Sequence, residues 1–160
     1  MQRPHKKSHF ENPKTPLMDS LKNLGITAII NCSEFGEHPN CGDGIIDSIG
    51  LSYNPNDVIK EKIEYHHYGW QDLTTPSMDL MLEMVEVGKN IIQKGGKICV
   101  HCHAGLGRTG LFIACLLIRL ENISAEEAIK RVRSARENSI PAKLHEDYIH
   151  TFYKLINNFF

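Results

Sequence analysis

The sequence predicts an α/β fold, a central and mostly parallel sheet flanked by helices on both faces. Three observations predict it. Short apolar runs at Ile26–Asn31 and Lys97–His101 read as buried strands. Longer segments with apolar residues at three- and four-residue steps read as helices. The two kinds of segment alternate along the chain, at a spacing that suits parallel strands joined by helical crossovers.

The first 25 residues are polar, with Pro4, Pro13 and Pro16, and predict a lead-in loop followed by a short helix over Leu17–Leu24. Ile26–Asn31 (ITAIIN) is the first buried strand. Glu34–Asn56 is rich in Gly, Pro, Asn and Asp and predicts a surface loop. Ile63–Trp70 (IEYHHYGW) has the aromatic content of a strand and leads into a polar turn, Gln71–Thr75. Thr75-Pro76 predicts a helix opening, with a capping hydroxyl and proline at the first helical position. Met81, Met84, Val85, Gly88, Ile91 and Ile92 give that helix its apolar face, and Gly95-Gly96 ends it. Lys97–His101 (KICVH) runs into a Gly-rich turn, Ala104–Gly107, and then an apolar helix over Arg108–Glu121. Ser124 and Glu127 form a capping box for the next helix, with Ala125, Ala128, Ile129 and Val132 inward. A last helix covers Pro141–Asn157.

With 160 residues the chain fits one domain, residues 1–160, large enough to bury a core without staples. A formal net charge of -1 argues against a general nucleic-acid or anionic-membrane binder, so any anion site must be built locally. Five cysteines without framework spacing predict reduced thiols and an intracellular protein. The basic start, MQRPHKKSHF, has no apolar run behind it and does not read as a secretory signal. The longest apolar run, Leu111–Ile118, is eight residues and too short to span a bilayer, which predicts no stable membrane insertion.

The segment that carries chemistry is His101-Cys-His-Ala-Gly-Leu-Gly-Arg-Thr-Gly110. A strand delivers Cys102 into a tight loop that feeds the N-terminus of a buried helix. The backbone N–H groups of His103, Ala104, Gly105, Leu106 and Gly107 can turn inward there, and the helix dipole adds positive charge at the loop's mouth. Arg108 can grip two phosphate oxygens with its planar fork. Such a field favours the Cys102 thiolate over the thiol, whose free pKa is about 8.5. A thiolate at the centre of an anion cradle can attack phosphorus and form a phosphocysteine intermediate. No metal or other cofactor is required, because Arg108 and the amides carry the transition-state charge.

This loop resembles the Cys-x5-Arg signature of the protein tyrosine phosphatase superfamily. Glu37-His38 with Cys41-Gly42, the turn Tyr68-Gly-Trp-Gln-Asp72 and the loop itself are together similar to its dual-specificity branch. Within that branch they resemble the group joining the protein tyrosine phosphatase domain-containing proteins to the mitotic-exit phosphatases. The resemblance implies a protein tyrosine phosphatase-like fold and a catalytic domain acting on phosphorylated protein substrates. It implies Asp72, about 30 residues before Cys102, as the general acid, a role worth about 10²–10⁴ in rate. It implies Thr109 as the hydroxyl on the cysteine sulfur and His101 as a support for the loop and the thiolate. Where the group carries a water-orienting glutamine this chain has His145, and Pro141 replaces a second glutamine. The compartments the resemblance allows are cytoplasm, nucleus and ciliary base.

Blander readings stand beside these. Cys102 can be a buried structural thiol, and Asp72 an ordinary turn aspartate with Asp43 and Asp47 as fallback acids. Cys99, His101, Cys102 and His103 can be read as a zinc cluster, but adjacent positions on one strand end do not converge on a tetrahedral ion. Cys99 can pair with Cys102 on oxidation or simply pack. Cys32, Cys41 and Cys115 read as inert or structural thiols. His66 and His67 read as satisfied strand-end residues. Lys130, Arg131, Arg133 and Arg136 read as a solvated face or as a grip on acidic substrates. The active phosphatase has two rivals: a phosphoprotein-binding module with slow turnover, motivated by the missing glutamine, and a phosphoinositide phosphatase. The lipid reading is weaker because the loop offers His103 and Leu106 where lipid enzymes of the superfamily place lysines.

Overall fold

The computed structural model describes residues 1–11 and 17–159. Pro13 and Pro16 of the expected lead-in loop lie outside the described residues. Three strands, β1 Ala28–Asn31, β2 Glu64–His67 and β3 Ile98–His101, form a sheet in the order β2-β1-β3 with both pairings parallel. Among the described residues six helices surround it: α1 Leu17–Asn23, α2 Pro55–Ile59, α3 Met78–Gln93, α4 Gly107–Glu121, α5 Ala125–Ala135 and α6 Lys143–Phe159. A single π-helical turn, Lys6–Phe10, precedes α1.

Strand alternation sends neighbours to opposite faces, so Ile29 and Ile30 of β1 enter two separate cores. Ile30 joins Met81, Met84 and Val85 of α3, Leu111, Phe112 and Cys115 of α4, and Ile149 and Phe152 of α6. Ile29 joins Leu21 of α1, Tyr53, Val58 of α2 and Ile63 on the other face. Helix α4 is buried along most of its circumference, as a helix that is apolar all round must be. It packs against α3, α5 and α6 and fixes the direction in which its N-terminus points.

Several expectations need correction. The cap of α3 is Ser77, whose side chain accepts the Leu80 N–H, so the helix starts at Met78 and Thr75-Pro76 stays in the preceding turn. Ser124 caps α5 by accepting the Glu127 N–H at 3.2 Å, but the Glu127 carboxylate turns away to Arg131 at 2.9 Å, so only half of the box forms. The last helix begins at Lys143 rather than Pro141. The segment expected as surface loop at Glu34–Asn56 is not all surface: Leu51, Ser52 and Tyr53 are buried, and Tyr53 packs in the core that holds Ile29 of β1. Its polarity reflects the turns on either side, while Tyr53 contributes one of the largest fully buried side chains.

Candidate active site

Strand β3 ends at His101, and its parallel register with β1 brings Asn31 beside it; the Cys32 N–H donates to the His101 carbonyl at 2.8 Å. The next residues form the loop that opens α4. Its carbonyls are tied on the outside: His103 to the Arg3 N–H at 3.0 Å, Ala104 to Arg136 Nη2 at 3.2 Å, and Leu106 to the N–H groups of both Gly110 and Ile140 at 3.2 Å. In a trans peptide the N–H points opposite the carbonyl, so the amides of Ala104, Gly105 and Gly107 are turned inward. The Cys102 sulfur, almost fully buried, accepts the Gly105 N–H at 3.3 Å. Gly105 has φ +74° and lies against the Met1 carbonyl, a conformation and a closeness that a side chain would not allow.

Arg108 is fully buried at the first turn of α4. Its Nη1 donates to Glu37 Oε2 at 2.6 Å, the Trp70 carbonyl at 2.9 Å and the Cys32 carbonyl at 3.1 Å; Nη2 donates to Glu37 Oε1 at 2.8 Å. Glu37 thus takes the far end of the guanidinium. The edge formed by Nε and Nη2 keeps donors in hand, and Nε has no hydrogen-bond partner. Burial opposes the Arg108 charge, but Glu37 outweighs it and raises the pKa further. Burial would likewise raise the Glu37 carboxyl; the Arg108 hydrogen bonds and the Glu34 N–H bring it below its ordinary value.

Asp72 reaches the same place from the turn after β2. Its Oδ1 lies 3.2 Å from Arg108 Nε, and Oδ2 lies 3.1 Å from His38 Nε2. Burial would raise its pKa, but Arg108 and His38 overcome this and hold the carboxyl below the usual value. The turn can come this close to β1 because residue 69 is glycine: a Cβ there would stand 2.6 Å from the Ser33 carbonyl oxygen. His38 in turn stacks on His103, with centroids 3.9 Å apart. Burial, and then His38 itself, lower the His103 pKa.

His101 is buried, and burial depresses its pKa to about 3, so the ring is neutral at pH 7. Nδ1 faces the Cys102 carbonyl at 3.4 Å, so it carries the proton, and Nε2 accepts from the Tyr53 hydroxyl at 2.7 Å. The Thr109 hydroxyl is buried without a hydrogen-bond partner among the described residues. His145 is also buried; its Nε2 faces the Thr74 carbonyl at 3.0 Å and therefore carries the ring proton, leaving Nδ1 as a buried acceptor with no partner. The ring lies on the loop, since a Cβ at Gly107 would stand 3.1 Å from His145 Cε1.

All the site residues named from the sequence therefore gather around one loop. The family model for the dual specificity phosphatase catalytic domain matches residues 10–154. The chain belongs to that family. It is 38% identical over 127 residues to protein tyrosine phosphatase domain-containing protein 1 of Bos taurus, covering 79% of this chain and 16% of that protein. It is 34% identical over 99 residues to tyrosine-protein phosphatase CDC14 of Candida albicans, covering 61% of this chain and 18% of that protein. The structure of kinase associated phosphatase with its catalytic site cysteine substituted by serine superposes with a TM-score of 0.75 at 26% identity, covering 90% of this chain and 78% of that one. The chain spans 16–18% of the length of the first curated relatives it matches. Among the described residues no helix is long and apolar enough to cross a membrane.

Around this dual specificity phosphatase loop, four residues matter that the sequence reading gave no chemical role. Glu37 orients Arg108, Tyr53 buttresses His101, and His38 holds Asp72. Arg3, buried, donates to the carbonyls of Glu37, His38 and Cys41 at 2.8–3.1 Å. Only Glu37-His38 left a trace in the sequence, as part of the family resemblance. Arg131 and Arg133 are spent on ion pairs with Glu121, Glu127 and Glu146, the solvated-face reading. Cys99 packs in the core opposite the one that holds Cys102, which is the packing reading for that thiol.

Proposed function

We propose that residues 1–160 form a single catalytic domain that hydrolyses phosphate monoesters on protein side chains, phosphotyrosine foremost and phosphoserine and phosphothreonine with it. The observation that carries this is the position of the Cys102 sulfur, held by the Gly105 N–H beneath inward-turned amides and beside the Nε–Nη2 edge of Arg108, which the Asp72 carboxylate approaches, at 3.2 Å from Nε without a hydrogen bond.

A phosphate dianion entering the loop takes hydrogen bonds from the Ala104, Gly105 and Gly107 amides and from Arg108. The Cys102 sulfur attacks phosphorus in line; the S–P bond forms, the P–O bond breaks, and the electron pair stays on the leaving oxygen. Asp72 gives that oxygen its proton. Without phosphate, Arg108 and His38 hold Asp72 ionised. An arriving dianion claims Arg108 Nε and disfavours a second negative charge beside it, which protonates Asp72 when it is needed. In the second step water attacks phosphorus, accepted at its proton by His145 Nδ1. The S–P bond breaks, inorganic phosphate leaves, and the Thr109 hydroxyl donates to the departing sulfur.

The test is phosphate release from p-nitrophenyl phosphate by wild type, Cys102→Ser and Asp72→Ala, followed by a panel of phosphotyrosine, phosphoserine and phosphothreonine peptides beside phosphoinositides. Equal activity in wild type and Cys102→Ser would end the enzyme reading. Faster release from phosphoinositide than from every peptide would move the substrate to lipid. A second reading, a phosphoprotein binder with slow turnover, draws on the burial of His145 against Thr74; one equivalent of product followed by near silence would favour it.

A further inference from the structure

Beside the phosphate loop lies a group of ligand-type side chains that take no proton and form no bond in the proposed hydrolysis. His38 and Cys41 sit on the loop after β1, and His103 on the phosphate loop itself. One ligand atom from each lies within 4.8 Å of the other two. We propose that His38, Cys41 and His103 form a binding site for a zinc-class divalent cation at the rim of the phosphate cradle.

Imidazole and thiolate are the donors such ions prefer, and bonds of about 2.0–2.3 Å place tetrahedral ligand atoms about 3.3–3.8 Å apart. The three ligand atoms need close by at most about 1.5 Å to reach those separations. Three protein ligands leave a fourth position open, the arrangement of an exchangeable site rather than a sealed structural one. All three side chains are half-exposed, so an ion can reach them.

Arg3 makes the arrangement more than a chance meeting of surface groups. Its Nη2 donates to the carbonyls of His38 at 2.8 Å and Cys41 at 3.1 Å, and its backbone N–H donates to the carbonyl of His103 at 3.0 Å. One buried residue therefore ties down the backbones of all three ligands. The turn between His38 and Cys41 is closed by the Cys41 N–H on the His38 carbonyl at 3.2 Å, with His38 held at φ +47°, a conformation that costs a residue with a Cβ. The His38 and His103 rings are stacked, 15° apart in plane with centroids 3.9 Å apart, so one ring has to turn out of the stack before both in-plane nitrogen lone pairs meet one ion. Asp72 Oδ2 sits 3.1 Å from His38 Nε2, the carboxylate–imidazole contact that orients metal-bound histidines.

Binding forms a metal–sulfur bond at Cys41 as its thiol proton passes to solvent, and metal–nitrogen bonds to the two neutral imidazoles. A bound ion would fix His103 of the phosphate loop and lock the His38–Asp72 pair in place, holding Asp72 back from the leaving oxygen. Hydrolysis should therefore slow when the site fills. That consequence rests on the phosphatase reading; the binding itself does not.

The test uses cobalt(II) as the probe and Cys102→Ser as the background, so that the nucleophile's sulfur cannot ligate. Titration should give one equivalent of bound cobalt, with a near-ultraviolet sulfur-to-cobalt charge-transfer band and the visible bands of a four-coordinate ion. Adding Cys41→Ser should remove the sulfur band, and both Cys41→Ser and His38→Gln should weaken binding by more than the roughly tenfold that even an outer-sphere partner contributes. Zinc should raise the thermal midpoint of the Cys102→Ser protein and leave that of the Cys41→Ser double variant unmoved, a readout that also reports whether the variant is folded. No cobalt spectrum, or a sulfur band that survives Cys41→Ser, overturns the site. Zinc inhibition of p-nitrophenyl phosphate hydrolysis that persists in Cys41→Ser overturns the coupling. A chain with no hydrolytic activity leaves the cobalt result standing and counts only against the enzyme reading.

Discussion

Glu37 holds Arg108 by its far end, Oε2 to Nη1 at 2.6 Å and Oε1 to Nη2 at 2.8 Å, around a guanidinium that is fully buried. The pair decides which edge of the arginine meets an anion. With the end-on fork occupied by the Glu37 carboxylate, the Nε–Nη2 edge is left to face the loop, with Asp72 Oδ1 3.2 Å from Nε as the one carboxylate an arriving anion displaces.

Removing Glu37 therefore has two effects. Glu37→Ala takes the bidentate partner from a buried cation and leaves it Asp72 at 3.2 Å, a loss on the order of 3 kcal/mol, the low end for breaking a buried pair. It also frees the guanidinium to rotate out of register with the amides. The expected outcome is a fall in the urea midpoint together with a KM for p-nitrophenyl phosphate raised at least tenfold. Glu37→Gln should recover much of the stability and little of the orientation. Unchanged KM in both variants would mean that the carboxylate does not aim Arg108.

Asp72 gives a prediction that depends on the leaving group. A proton donor matters most where the departing oxygen is a poor leaving group and little where it is a good one. Asp72→Asn should lower kcat about 10²-fold or more with phenyl phosphate and far less with p-nitrophenyl phosphate. A uniform loss across both esters would make Asp72 a binding residue, acting through its 3.2 Å contact with Arg108.

The two halves of this site were not equally legible in the sequence. The loop from His101 to Gly110 could be read because its parts are contiguous: strand, cysteine, glycines, arginine and helix follow one another, and each type has one use there. The strands and the apolar faces of α3 and α5 were legible through their periodicity. What escaped was everything that reaches the loop from far along the chain. Glu37 stands 71 positions from Arg108, and Tyr53 stands 48 from His101. Both lie in a stretch whose Gly, Pro and Asn content reads as exposed loop, and composition there reports the turns while hiding the buried contacts between them. Arg3 was hidden for a similar reason: a basic residue in a polar leader looks solvated until the carbonyls it caps are known. The half-formed capping box at Ser124 shows the converse, since a correct local motif lost one of its bonds when Arg131 offered Glu127 a better partner.

His145 supplies the prediction on turnover. Its Nε2 proton is committed to the Thr74 carbonyl, so the ring can serve water only as an acceptor through Nδ1. A glutamine amide could both accept and donate at that place. Stopped-flow hydrolysis of p-nitrophenyl phosphate should show a burst of one equivalent followed by a slower steady rate, with His145→Ala keeping the burst and slowing the second phase further. His145→Gln should raise the steady rate. A linear time course without a burst in all three proteins would place the slow step before the phosphoenzyme and remove His145 from the argument.

His101 sets an acid limit on stability. Burial holds its folded pKa at about 3, below the unfolded value of about 6.5. Between those values the unfolded chain binds the extra proton, so this contribution is full above about pH 6.5 and is lost as the pH falls toward 3. At pH 5 the loss amounts to about 2 kcal/mol, at 1.36 kcal/mol per pH step over about 1.5 steps. Carboxylates are still ionised at that pH, which leaves histidines as the main titrating groups in the window. Urea midpoints measured at pH 7.5 and 5.0 should therefore fall more steeply for wild type than for His101→Asn, which cannot titrate. Tyr53→Phe, which removes the hydroxyl donated to Nε2, should lower stability by about 1–2 kcal/mol at pH 7.5. Parallel pH profiles for wild type and His101→Asn would show that the ring is not held neutral in the folded protein.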